Sequence, residues 1–190
     1  TFERLARGIQ ENAKGQALVT VLETAFSKVR ELEGARKAVI FTESVRTQGY
    51  LKDLLAANGF EDQIVLLNGS NSDPLSQKIY KDWIEKHKGS DAISGSKSAD
   101  MKAAIVEKFR SDGTLLISTE SGAEGINLQF CSLVINYDLP WNPQRVEQRI
   151  GRCHRYGQKN DVVVVNLINK RNRADERVFQ LLDQKFQLFS

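Results

Sequence analysis

Three arginines spaced by three, Arg149, Arg152 and Arg155, lie in the stretch Gln148-Arg-Ile-Gly-Arg-Cys-His-Arg-Tyr-Gly-Gln158. On a helix, positions three apart are neighbours, so the spacing draws a narrow cationic stripe along one face. Like charges in a row repel, and such a stripe suits an anion. Planar guanidinium groups match phosphate oxygens, and an arginine that reaches a transferring phosphoryl group can contribute a rate factor of ~10³–10⁵. A solvated or salt-bridged helix face is the alternative that the residues leave open. From Gln144 to Arg173 eight Lys/Arg stand against two acids, in a chain of 190 residues with a net charge of only +3. The rest of the chain is therefore mildly acidic, and the basic character is local.

A second segment is Ser118-Thr-Glu-Ser-Gly-Ala-Glu-Gly-Ile-Asn-Leu128. It runs from an apolar stretch into a hydroxyl pair and a loop with two glycines. Hydroxyls and bare amides at the C-terminal end of a parallel strand are placed to meet a phosphate or a nucleic-acid backbone. A plain strand–helix turn reads equally well. Elsewhere the chemistry is thin. The loop from Gly89 to Ser98 imitates a phosphate-cradling loop, but its glycines are six apart, Ser96 separates Gly95 from Lys97, and no strand precedes it. Asp138 and the pair Asp175-Glu176 could each mimic a Mg²⁺-binding acid. Asp138 has no neighbouring acid, however, and the pair opens a helix, where acids offset the macrodipole. Cys131, Cys153, His87 and His154 form no closed ligand set, so no metal site is expected, nor a Cys/His nucleophile.

These residues need a frame. Apolar runs at 37–42, 64–68, 115–119, 133–137 and 162–167 are continuous rather than alternating, as in parallel strands buried on both faces. Between them helical patterns run over 16–33, 44–58, 98–110, 143–153 and 173–189, with Gly34 placed to end the first and Pro143 to start the fourth. The expected fold class is α/β: a doubly wound, mainly parallel sheet flanked by helices. The stretch 71–100 interrupts the alternation and reads as a polar insertion, with a surface helix over 74–88 and a mobile loop over 89–98. Residues 1–34 read as a helical lead-in, and the chain as one domain.

The composition excludes other classes. Charged residues make up 27%, and no apolar run approaches the ~20 residues of a bilayer span. Two unpaired cysteines give no disulfide framework, and Thr1–Gln10 carries no signal-peptide pattern. A cytoplasmic protein is expected, nucleoid-associated if bacterial.

Taken together, the two polar segments resemble motifs V and VI of superfamily 2 helicases, and more narrowly those of the SWI/SNF family of DNA-translocating ATPases. The pattern S-T-x-A-G-x-x-G-(L/I)-N-L matches Ser118, Thr119, Gly122, Gly125, Ile126, Asn127 and Leu128. Y-D-x-x-W-N-P matches Tyr137, Asp138, Trp141, Asn142 and Pro143. Q-x-x-x-R-x-H-R-x-G-Q matches Gln148, Arg152, His154, Arg155, Gly157 and Gln158. Ala38–Thr42 looks like the motif IV strand, and Leu67–Ser70 like the turn after the next one. Ser121, Ala123 and Glu124 depart from the pattern, and Gly151 is closer to the general superfamily form and to the bacterial RNA-polymerase-associated branch.

The resemblance implies a RecA-like lobe, the second of two that hold ATP between them. Arg152 and Arg155 would be the finger arginines, and Gln148 would couple them to motif V. Gly125 and Asn127 would shape the nucleotide edge, while Thr42, Ser118, Thr119 and Trp141 would face double-stranded DNA. Arg149 is left for DNA, a partner or solvent. ATP and Mg²⁺ would be bound mainly by the first lobe of the same chain, so the fragment alone is expected to be inactive. RNA polymerase or another DNA-bound protein is a candidate partner.

Overall fold

The computed structural model describes residues 2–154, 161–168 and 173–187. The elements run α1 (Phe2–Glu31), β1 (Ala38–Thr42), α2 (Val45–Leu55), β2 (Ile64–Leu67), α3 (Pro74–Lys86) and α4 (Lys97–Ser111). They continue with β3 (Leu115–Thr119), α5 (Glu120–Ala123), β4 (Leu133–Asn136), α6 (Pro143–Cys153), β5 (Val163–Asn166) and α7 (Arg173–Gln187). The five strands form one sheet in the order β2-β3-β1-β4-β5, with every pair parallel.

Strand pleating explains how continuous apolar runs serve this sheet. Successive side chains point to opposite faces, and both faces are covered. Ala38, Ile40, Leu115, Ile117, Leu133 and Ile135 pack under α1 and α2, against Leu18, Leu22, Phe26, Leu51 and Leu55. Val39, Phe41, Leu116 and Val134 point the other way, onto Ile79, Trp83, Met101, Ile105 and Phe109 of α3 and α4. Each buried Val, Leu, Ile, Phe or Met among them contributes roughly 1.5–3 kcal/mol of transfer free energy. A third, smaller cluster joins Val146 of α6 to Val178 and Leu182 of α7.

Several expectations shift. The first helix begins at Phe2, not Gln16. Gly15 lies inside it, where a Cβ would collide with the Tyr50 hydroxyl and Leu54 of α2. The left-handed residue after α1 is Glu33 (φ 58°), while Gly34 lets the chain pass against Val29 and Ser132. Helix α2 runs to Leu55, the chain turns through Ala56–Phe60 with Gly59 left-handed (φ 91°), and a short 3₁₀ turn, Glu61–Gln63, leads into β2. Helix α3 is no surface ornament. Ile79 and Trp83 are buried in the second core, and Trp83 Nε1 donates to Glu107 of α4 at 2.7 Å. In the loop after α3, the Ser94 amide and hydroxyl both donate to Asp100 Oδ1, at 2.8 and 2.7 Å. Among the described residues, no helix is long and apolar enough to cross a membrane.

Candidate functional site

Parallel strands bring all their C-terminal ends to one edge of the sheet, where crevices form. Here β1 delivers Thr42, β3 delivers Ser118 and Thr119, and β4 delivers Asn136 with Asp138 just beyond. The hydroxyls do not project outward. Thr42 and Ser118 are fully buried and Thr119 nearly so. Thr42 Oγ1 donates to Asp138 Oδ2 at 2.6 Å, and the Glu43 amide donates to the same oxygen at 3.1 Å. Ser118 Oγ donates to the Thr119 carbonyl at 3.0 Å, and Thr119 Oγ1 caps α5 by accepting the Gly122 amide. Three of the four residues expected against nucleic acid thus have their hydroxyls turned into the fold. Ser121, on α5, is exposed at this edge. Asp138 is structural, as its surroundings in the sequence suggested: Lys14 of α1 also reaches it, at 3.4 Å.

The turn after α5 is shaped by two close constraints. A Cβ on Gly122 would lie 2.6 Å from the Leu67 carbonyl oxygen, so α5 can nest on the end of β2 only with glycine there. Gly125 has φ 79°, and exposed Asn127 accepts the Gln129 amide on its own Oδ1 at 3.1 Å. The Leu128 amide then donates to the Arg152 carbonyl at 2.9 Å. This bond ties the glycine loop to the last turn of α6.

Helix α6 starts where its sequence says. The Asn142 side chain accepts the Gln144 amide, and Pro143 occupies the first turn, where its missing N–H costs nothing. Trp141, immediately before the cap, is 80% exposed. Along the helix two stripes run side by side. Val146, Arg149 and Cys153 are buried. One residue back at each step, and so turned by about 100°, Arg145, Gln148 and Arg152 line an open cavity of about 440 Å³. Glu120, Ser121 and Glu124 stand on its other wall. Arg155, with Gly157 and Gln158, lies outside the described residues.

Arg149 corrects the sequence reading most sharply. It is 1% exposed, at the wall of the cavity, and its guanidinium is turned into the lobe. Its Nε donates to Glu120 Oε2 at 2.9 Å and Nη2 approaches the same oxygen at 2.8 Å. Its Nη1 donates to Asn136 Oδ1 at 2.9 Å and to the Asp138 carbonyl at 2.8 Å, and the guanidinium lies 5.0 Å over the Phe41 ring. Glu120 and Arg149 neutralise one another, which leaves Arg145 and Arg152 opposite Glu124 in the cavity. Among the described residues neither arginine makes an ion pair, so their N–H groups are available to an anion. That donor set fits the terminal phosphates of a nucleotide. It does not fit a metal, and no cluster of three or more His, Cys, Asp or Glu occurs among the described residues.

Sequence reasoning missed three residues here. Arg145 belongs to the cavity stripe but falls outside the three-residue spacing of the motif. Glu120 was read only as part of a turn. Gln48, buried in α2, donates to the Leu67 and Ile117 carbonyls at 3.1 and 2.8 Å and closes the ends of β2 and β3. A usable signal existed for Arg149 alone: it sits between Val146 and Cys153 at helical spacing, on an otherwise apolar stripe.

Comparison with known proteins identifies the family and the fold. The family model described as "Helicase conserved C-terminal domain" matches residues 13–157. The uncharacterized ATP-dependent helicase YqhH of Bacillus subtilis is 36% identical over 181 residues, covering 95% of this chain and 26% of YqhH. An uncharacterized ATP-dependent helicase of Mycoplasma pneumoniae is 30% identical over 189 residues, covering 97% of this chain and 15% of that protein. Protein CHROMATIN REMODELING 19 of Arabidopsis thaliana is 33% identical over 99 residues, covering 50% of this chain and 13% of that protein. The chain therefore spans about a quarter or less of the length of these relatives. Among solved structures, the C-terminal part of the Fun30 ATPase domain superimposes with a TM-score of 0.60 at 23% identity, over 88% of this chain and 44% of that one. The C-terminal domain of the DEAD-box protein Dbp5 gives 0.58 at 20% identity, over 91% and 78%. At those identities the likeness establishes the fold, a RecA-like lobe.

Proposed function

The chain belongs to the family of helicase conserved C-terminal domains, and from that premise we propose that it is the second motor lobe of an ATP-dependent, double-stranded DNA translocase of SWI/SNF type. One observation carries the proposal. Two arginines three apart on α6 both line the cavity, but Arg149 spends its donors on Glu120, Asn136 and Asp138, while Arg152 makes no ion pair among the described residues. An arginine at a cleft with free donors is what transition-state charge stabilisation requires.

In this reading ATP lies between this lobe and a first lobe of the full-length protein, which holds most of the nucleotide and its Mg²⁺. Water attacks the γ-phosphorus and ADP leaves, with negative charge spread over the equatorial oxygens. Arg152, joined by Arg155, supplies positive charge there. Gln148, on the same face of α6, adds a neutral donor beside it. The bond from the Leu128 amide to the Arg152 carbonyl passes a movement of α6 to the loop that holds Gly125 and Asn127.

The DNA edge is the row of strand ends. Exposed Trp141 and Ser121 are its contacts in this proposal, and Thr42, Ser118 and Thr119 shape the edge from beneath. Phosphate contacts carry no base code, so tracking is sequence-independent and weakens with salt.

The full-length protein tests this directly. Arg152→Ala and Arg155→Ala each lower ATP turnover by about 10³-fold or more while ATP binding largely persists. Near-normal turnover in both variants overturns the finger assignment. This chain alone does not turn over ATP. Displacement of a triplex strand without separation of a duplex supports a translocase, whereas duplex separation identifies a strand-separating helicase.

A further inference from the structure

We propose that Arg149 is the positioning residue of this motor lobe: its donors are taken up inside the lobe at the floor of the cavity, and it fixes the rotation of α6 so that Arg152 faces the cavity. The inference rests on the role given to Arg152 above. It starts from the two stripes of α6. Val146, Arg149 and Cys153 form the buried one, and the cavity stripe lies about 100° further round the same helix. Whatever sets the rotation of the first stripe aims the second.

An aliphatic residue at position 149 would fill the stripe between Val146 and Cys153 but would not set that rotation. Apolar contacts are non-directional, and a helix held by them alone tolerates turning. The guanidinium differs because each of its bonds has a direction and an address. Glu120 belongs to α5, on the opposite wall of the cavity. Asn136 ends β4 and itself donates to Asn166 of β5 at 2.8 Å. The Asp138 carbonyl belongs to the residue whose carboxylate holds Thr42, the Glu43 amide and Lys14 of α1. A single side chain thus indexes α6 against the cavity wall, two strands and, through Asp138, the entry of the first strand's loop and the long N-terminal helix. Turning α6 by one residue breaks all four polar contacts of Arg149 and swings Arg152 out of the cavity.

The experiment uses the full-length protein with Arg149→Met, with the double variant Glu120→Gln/Arg149→Met, and with Arg152→Ala beside them. Arg149→Met leaves Glu120 unpaired, so its stability falls, and the double variant removes both charges and keeps the fold. The expected result is a kcat for ATP lowered about 10²-fold in both Arg149 variants, as for a misplaced catalytic group, with KM for ATP within about threefold of the parent. A purely packing role predicts the opposite: the double variant, once its melting temperature is restored, recovers kcat, and that result overturns the proposal. Arg152→Ala separates the two levels of inference. If it retains turnover, the reading of the site has failed. If it loses turnover while the Arg149 variants keep it, only the positioning role has failed.

Discussion

Two charge clusters in this lobe are built in opposite senses. Around Arg149 a cation sits in the interior, 1% exposed, and collects acceptors from α5, β4 and the turn beyond it. Around Glu107 an anion sits at the rim and collects donors from one helix. Trp83 Nε1 reaches it at 2.7 Å, Lys86 Nζ at 2.6 Å and His87 Nε2 at 3.0 Å. The first cluster fixes an orientation, because its partners lie on separate elements and cannot move together. The second only clamps α3 onto α4. Its partners share a few residues of chain, and about a third of the Glu107 side chain is open to solvent, which can replace any of them. A buried cation with dispersed partners therefore specifies geometry, and a rim anion with clustered partners supplies adhesion.

The largest test of that contrast is Arg149→Ala, which leaves the Glu120 carboxylate unpaired at the cavity wall and opens a void beside Phe41. Thermal or urea unfolding of the variant should show a loss of about 3–5 kcal/mol. A loss no greater than that of the rim variants would erase the distinction.

Glu107→Gln should cost about 1 kcal/mol, because water compensates part of what is removed. Its pH dependence is the sharper observable. The Lys86 ammonium first, then the Trp83 indole and His87, hold the Glu107 carboxyl down from 4.5 to about 2. A depressed carboxylate stabilises the fold fully above its unfolded value and loses that contribution as pH falls through the folded one. The parent should therefore lose its advantage over Glu107→Gln between about pH 4.5 and pH 2, with a constant difference above that window. A difference unchanged down to pH 2 would contradict the clamp. The smallest effect belongs to Lys86→Ala: its side chain is 68% exposed, and the change in unfolding free energy should stay within about 0.5 kcal/mol.

The sheet was legible in the sequence because burial on both faces demands unbroken apolar runs. Ala38–Thr42 and Leu115–Thr119 need nothing more to be recognised than Val, Ile and Leu in sequence. Helix α6 was readable to the residue, since Asn142 and Pro143 mark its start chemically. What escaped depends on contacts distant in sequence. The approach of Tyr50 and Leu54 explains Gly15 inside a helix. The helix over 74–88 read as part of a polar insertion, and the bond from the buried Trp83 indole N–H to Glu107 is what ties it to α4. Charge alone cannot separate Arg149 from Arg152. Their roles divide because 29 residues upstream Glu120 offers a carboxylate to one and not to the other.

The strand order has a consequence for how the lobe assembles. β1 and β2 precede the other strands of this sheet in the chain, yet they share no edge: each pairs with β3, and β1 also with β4. Both wait unpaired until Leu115–Thr119 has emerged, with a loop of more than seventy residues then closing between Thr42 and its partner Thr119. Such long-range parallel pairing is slow, and it leaves open edges that attract other chains. β3 is thus the keystone of synthesis as well as of the sheet, and a nascent chain stalled before Leu115 carries two exposed strand edges that it cannot satisfy by itself.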